Sequence, residues 1–224
     1  FREVISIEEL KEWYQKLLDE FHKWLSYQKK WKEERNHSLQ SLEFPFSYRE
    51  GQRKMVSSVY HTIGASRQIF IQAPTGVGKT MSTIFPAVRA VGEGKGETIL
   101  YLTAKTITRT VAQEAFEVLR EKGMKYKVVT ITAKEKLCFM DETKCDPVHC
   151  PYARGHFDRV NDAVYELWTT KSRYDRETIR EQAEKWQVCP FEMCLDLSVW
   201  VDAVICDYNY VFDPTVHMKR FFGE

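Results

Sequence analysis

The chain has no run of about 18 apolar residues, the length a membrane-spanning helix needs, so no such helix is expected. A secretory leader is not expected either, because Phe1-Arg2-Glu3-Val4 is followed by no apolar core with a small-residue cleavage site. A start at Phe1 in place of Met is what an excised or processed piece of a longer protein would have. An excess of one charge is also missing, with 33 Lys and Arg set against 32 Asp and Glu. A net charge of +1 excludes binding by bulk charge, yet leaves room for segregated basic patches. There is no internal repeat and no low-complexity stretch. Cysteine is absent from the first 137 residues and then crowded, with five between Cys138 and Cys194 and a sixth at Cys206. Such local crowding in a chain of 224 residues argues against an extracellular disulfide framework and for a metal or cluster site.

What is present begins with an amphipathic helix. Ser6 and Glu9 have the form of a capping box. Leu10, Trp13, Leu17, Phe21, Trp24, Gln28 and Trp31 then recur every three or four residues. This helix either packs on its own domain or connects to one upstream, and both roles are compatible. A linker is expected over Asn36–Glu43, followed by Phe44-Pro45-Phe46 and a helix starting at Tyr48-Arg49-Glu50-Gly51-Gln52.

An α/β alternation follows. Gln68–Gln72, Thr98–Thr103 and Lys127–Thr132 read as strands, Met81–Val91 and Thr108–Glu121 as helices. This order implies a parallel sheet with covered faces. It breaks at Ala133 and resumes at Ala203–Asp207, which makes the stretch between, rich in Cys and aromatic residues, an insertion.

The most specific motif is Ala73-Pro74-Thr75-Gly76-Val77-Gly78-Lys79-Thr80, placed between an expected strand and an expected helix. Gly76 and Gly78 allow backbone N–H groups to turn inward onto phosphate oxygens. Lys79 reaches the β- and γ-phosphates, Thr80 ligates Mg²⁺, and the helix dipole adds positive potential. Thr103, Lys105 and Thr106 lie just after the next strand, on the carboxyl edge of the sheet where ligands collect. They suit either a phosphodiester backbone or simple capping of the helix that follows.

Cys138, Cys145, Cys150 and Cys189 are separated by six, four and thirty-eight residues. Thiolates suit both zinc and iron–sulfur clusters, and this spacing leaves both open, with His149 and His156 as further zinc ligands. Buried free cysteines are the third reading, and Cys206, in an apolar strand, is a core residue.

Taken together, these residues resemble the XPD/DinG family of superfamily 2 DNA helicases, from about Phe44 to Phe222. The likeness rests on FPFSYREGQ, APTGVGKT, YLTAKTITRT, the four cysteines and CDYNYVFDP (Cys206–Pro214). It is nearest to bacterial, hence cytoplasmic, DinG-like members with a nuclease-like domain upstream. The resemblance implies an α/β fold, part of a RecA-like P-loop NTPase sheet, with an inserted, mainly helical [4Fe–4S] domain and a long N-terminal helix. Residues 1–43 would be the helical connector, 44–132 the first part of motor domain 1, 133–198 the cluster domain, and 199–224 the return to the motor. Cys138, Cys145, Cys150 and Cys189 would hold the [4Fe–4S] cluster, with Cys194 as the alternative to one of them. Gln52, with Arg49 beside it on the same helix face, would contact adenine, while Pro74 to Thr80 hold the phosphates. Thr103 and Lys105 match the family's single-strand-contacting motif.

The implied cofactors are ATP, Mg²⁺ and the cluster; the implied partners are single-stranded and forked or duplex DNA, with no membrane. Tyr152, Phe157 and Trp168 are candidates to stack on bases, against the simpler reading of core packing. The rival classes are a non-catalytic DNA-binding iron–sulfur module and a P-loop ATPase with a zinc-stabilised insert. One departure matters: the acidic Asp-Glu-Ala-His motif of such helicases does not occur, and Asp207 is followed by Tyr208 and Asn209 with no Glu to act as base. Little ATP turnover is therefore expected of these residues alone. Because metal sites couple binding to folding, the insert without its cofactor is expected to be partly disordered.

Overall fold

The structure is a computed structural model that describes residues 4–104, 106–216 and 218–222, with Thr106 and Arg220 described through their backbone. In chain order the elements are α1 (Ile7–Gln40), α2 (Gln52–Gly64), α3 (Lys79–Gly92), β1 (Ile99–Thr103), α4 (Thr106–Glu121), β2 (Val128–Thr130) and α5 (Lys134–Leu137). Then come α6 (His156–Thr170), β3 (Arg173–Tyr174), α7 (Arg176–Trp186), α8 (Pro190–Ser198), β4 (Ala203–Asp207), α9 (Asn209–Phe212) and α10 (Lys219–Phe222). Two compact units emerge, Phe1–Glu34 and Arg35–Glu224.

In the first unit, Ser6 and Glu9 cap α1 reciprocally. The Ser6 N–H donates to Glu9 Oε2 at 2.7 Å, and the Glu9 N–H to Ser6 Oγ at 3.1 Å. The helix repeat places Leu10, Trp13, Leu17 and Phe21 as read from the sequence, and all four are exposed. No helix among the described residues is long and apolar enough to cross a membrane.

The second unit is built on a four-stranded parallel sheet of order β1-β4-β2-β3. Ala203 of β4 is in register with Ile99 of β1 on one side and Val128 of β2 on the other. Central β4, AVICD, is buried along its length except at Asp207, as a parallel strand covered on both faces should be. Helical spacing supplies the cover: Ala112, Ala115, Phe116 and Leu119 of α4, and Ile84, Val88 and Val91 of α3, form one buried cluster with the sheet. Each large side chain in it contributes about 1.5–3 kcal/mol of burial.

Three expectations need correction. The linker over Asn36–Glu43 is still helix as far as Gln40. Arg35 forms a buried ion pair with Asp202 at 2.7 Å, and Leu39 is fully buried. Arg89 donates to the carbonyls of Leu39, Gln40 and Leu42, satisfying the helix's orphan acceptors. The expected strand Gln68–Gln72 is not one, because no described strand pairs with it, and Phe70 stands 95% exposed. The insertion, in turn, is partly woven into the sheet. Its residues Arg173 and Tyr174 form edge strand β3 on β2, while α6, α7 and α8 bury their own core around Leu167, Trp168, Ile179, Ala183 and Met193.

Lys127 fastens this junction. Its ammonium donates to the carbonyls of Trp168 and Lys171 at the end of α6, and to Tyr174 Oη at 3.3 Å. Burial lowers its pKa to about 8, the nearby Asp202 carboxylate raising it and Arg120 lowering it. A folded pKa below the ordinary 10.5 means that the unfolded chain holds the proton more firmly between those values. The contribution of Lys127 to stability should therefore rise as pH increases from about 8 to 10.5. Urea midpoints across that window should climb less in Lys127→Met than in the natural chain; identical slopes would contradict the assignment.

Candidate functional site

Two places bring sequence-predicted residues together. In the first, the loop 73–80 leads into α3. Gly76 and Gly78 adopt left-handed φ of 83° and 77°, conformations that side-chain-bearing residues rarely take. Gly78 is the N-cap of α3 and, having no side chain, leaves the first N–H groups of the helix to whatever binds there. Lys79 folds back over the loop, its ammonium 2.8 Å from the carbonyls of both Ala73 and Pro74. Thr80 follows in the first turn of α3.

Gln52 and Arg49 meet this loop. Gln52 is buried at the start of α2, its Oε1 accepting the Arg49 N–H at 3.0 Å. A Cβ on Gly78 would lie 2.6 Å from Gln52 Nε2 and would push the end of that side chain aside, while the φ of 77° is what favours glycine. The Arg49 guanidinium donates to the Gly76 carbonyl. The expectation that Arg49 shares a helix face with Gln52 is corrected. Arg49 precedes α2, since Gly51, at φ 72°, sets the start of the helix at Gln52. Pro74 and Val77 line a cleft of about 410 Å³ shared with Gly51, Lys54 and Ile71.

At the carboxyl edge of the sheet, Thr103 ends β1 and is only 6% exposed, its carbonyl accepting the Tyr208 N–H. Lys105 and the side chain of Thr106 lie outside the described residues. A cleft of about 660 Å³ opens along this edge, lined by Arg109, Lys134, Asp207, Asn209, Tyr210 and Lys219 among others. Sequence reasoning missed Arg109. Its signal was a basic residue in the first turn of the helix that follows β1.

The second place is a cavity in the insertion, lined by Cys138, Cys145, Cys150 and Cys189 together. Cys138 follows α5, and its sulfur accepts the Met140 N–H at 3.4 Å. Cys189 is the N-cap of α8, ahead of Pro190. Burial raises its thiol pKa, against the opposing pull of the Glu192 and Phe191 N–H groups. The ammonium of Lys134 is held charged, first by its hydrogen bond to Cys145. Among the described residues, no three His, Cys, Asp or Glu side chains converge as they would on a single metal ion.

The other candidate ligands are not part of the lining of this cavity. Cys194 is fully buried in α8, with its thiol pushed up to about 12, and Cys206 is buried in β4. His149 faces the Asp146 carboxylate at 2.8 Å, while His156 Nδ1 accepts the Cys189 N–H at 3.2 Å. Of the aromatic candidates, Trp168 is core and Tyr152 packs on Phe139. Phe157 stands 86% exposed, which overturns core packing for that residue alone.

The family model for DEAD/DEAH box helicases matches residues 49–150, and the DEAD_2 model matches residues 121–221. A relative from Methanocaldococcus jannaschii, named a probable ATP-dependent helicase, is 24% identical over 169 residues. That alignment covers 74% of this chain but 24% of the relative, so the chain spans about a quarter of the relative's length. A mixed α/β fold with a parallel sheet agrees with a RecA-like helicase core. The matched segments and the fold together make this chain similar to superfamily 2 helicases across residues 49–221.

Proposed function

We propose that the chain is the nucleotide-binding and single-strand-binding part of an XPD/DinG-type ATP-dependent DNA helicase, with a [4Fe–4S] cluster held in its insertion. The observation that carries the nucleotide reading is the meeting of Arg49 and Gln52 with Gly76 and Gly78. In this reading Lys79 and the N–H groups around Gly78 hold the β- and γ-phosphates, Thr80 takes Mg²⁺, and the Gln52 carboxamide selects adenine. Single-stranded DNA runs along the carboxyl edge at Thr103–Thr106, gripped by its backbone and therefore in a salt-dependent way. Buried Thr103 supports that edge, and Arg109 lines the cleft beside it.

In this reading the cysteine cavity holds a cluster rather than one zinc ion. Zinc asks four ligands to converge at about 2.0–2.3 Å from a point. In a cubane cluster each thiolate binds a different iron, so the sulfurs surround a volume. The four cysteines lining one cavity are the observation that supports this reading. His149 and His156 each engage Nδ1 with another group, the Asp146 carboxylate and the Cys189 N–H. Cys138, Cys145, Cys150 and Cys189 would supply the thiolates that hold the cluster, and the insertion would act as a wedge where forked DNA separates. The full-length bacterial protein would add an upstream nuclease-like domain and a second motor domain whose arginines complete phosphoryl transfer.

The test is binding of a fluorescent ATP analogue and of a labelled oligothymidylate to the 224-residue chain. Nucleotide binding should require Mg²⁺, discriminate ATP from GTP, and lose that discrimination in Gln52→Ala. Oligonucleotide affinity should fall steeply with added salt. No glutamate base follows Asp207, so turnover stays low; DNA-stimulated hydrolysis at helicase-like rates, about 1 s⁻¹ or faster, would contradict this account.

A further inference from the structure

Small metal-binding domains commonly fold only around their metal, and the same was expected of this insertion. The hydrogen bonds around the cavity point elsewhere, because two arginines already fasten the cysteine-bearing loops to the helices behind them. Arg180 of α7 donates to the carbonyls of Leu137 at 2.7 Å and Cys138 at 3.2 Å. Its guanidinium also lies 4.4 Å over the Phe139 ring, which packs on Tyr152, two residues past Cys150. One side chain thus fixes the backbone of the first cysteine and, through a pair of rings, the turn of the third.

Arg159 of α6 ties the segment after Cys150 to the segment before Cys189. Its Nε donates to the Trp186 carbonyl at 3.0 Å, and its Nη2 to Gln187 at 2.6 Å and Arg154 at 2.8 Å. It therefore joins the segment leaving Cys150 to the segment entering Cys189. Gly155 is tied to this joint: at φ 64°, a Cβ there would meet Arg159 Nη1 at 2.6 Å. A planar guanidinium suits the task, since it offers several donors in a fixed fork and a face to stack.

We infer that Arg180 and Arg159 are positioning residues that hold the loops of Cys138, Cys150 and Cys189 around a standing cavity before any cofactor enters. What enters rests on the cluster reading above; the standing cavity rests on protein hydrogen bonds alone. A cluster bound by these cysteines would enter loops already held in place by the two arginines.

Two measurements on the 224-residue chain separate these claims. The first is hydrogen exchange, followed by mass spectrometry, on protein stripped of metal by a chelator. Peptides spanning residues 138–140 and 150–156 should be protected in the natural chain. They should exchange about tenfold faster in Arg180→Ala and Arg159→Ala respectively, the loss expected for charge-assisted hydrogen bonds. The second is the rate at which a ferrous chelator bleaches the visible absorbance of anaerobically purified protein. Arg180→Ala should bleach about tenfold faster, with Arg180→Lys intermediate because lysine keeps the charge and loses the fork. Affinity for the ATP analogue should stay within about twofold in each variant, which establishes that the motor portion is folded.

Exchange at the unfolded rate in the stripped natural chain would overturn the inference, as would variants that exchange and bleach like it. If the natural chain carries no iron or sulfide, the cluster reading fails, and the exchange comparison still decides the standing cavity. If one variant does not fold, the other reports on its own loop.

Discussion

Lys79→Ala should abolish ATP-driven unwinding by the full-length protein while leaving its iron and sulfide unchanged. The ammonium of Lys79 lies over the loop carbonyls of Ala73 and Pro74, at the N-terminus of α3, where phosphate oxygens would replace those acceptors. A charge-assisted hydrogen bond contributes about 1.5–3 kcal/mol, so nucleotide affinity should fall by about tenfold to a hundredfold. Stabilisation of the charge that develops during transfer is lost as well, which takes catalysis with it. None of the residues lining the cysteine cavity belongs to this loop or to α3, so the cofactor should not respond. Unwinding retained, or iron lost, would each contradict the separation of the two sites.

Asp202→Ala should destabilise the second unit by about 3–5 kcal/mol, the cost of leaving one charge of a buried pair uncompensated. Asp202 Oδ1 receives Arg35 at 2.7 Å, and Oδ2 receives the Lys127 N–H at 2.7 Å, with both side chains of the pair about 95% buried. The substitution strands the guanidinium and a backbone donor in one stroke. Against a typical total of about 5–15 kcal/mol, that loss consumes much of the stability of the domain. Arg35→Met combined with Asp202→Leu should recover most of it, since apolar replacement of a buried pair is often neutral. Urea midpoints measure both; a single-variant loss under about 1 kcal/mol would place the pair in a far more solvated setting.

The sequence was most informative where structure is local or strongly periodic. Strands β1 and β4 fall within a residue of the expected segments because apolar runs between turn residues have few alternatives. The loop 73–80 was legible because its glycines have no other reason to stand at that spacing. What escaped depended on distant partners. The last turns of α1 persist because Arg89 and Asp202 hold them, and no local pattern announces that. Gln68–Gln72 has the composition of a strand, but pairing is a property of neighbours, and Phe70 has none beside it in the sheet. Strand β3, two residues long, is too short for any periodicity. Arg49 was misplaced onto a helix because the left-handed turn at Gly51 delays the start of α2. Cysteine spacing left zinc and iron–sulfur equal, and it did not reveal that all four cysteines line one cavity, because that depends on tertiary arrangement.

The most direct test of the whole account is the content of iron, zinc and acid-labile sulfide in protein purified without oxygen. About four irons and about four sulfides per chain are expected, both lost in Cys138→Ser or Cys189→Ser and both retained in Cys194→Ser. One zinc with no sulfide would contradict it, leaving the nucleotide loop in place and overturning the cluster in the insertion.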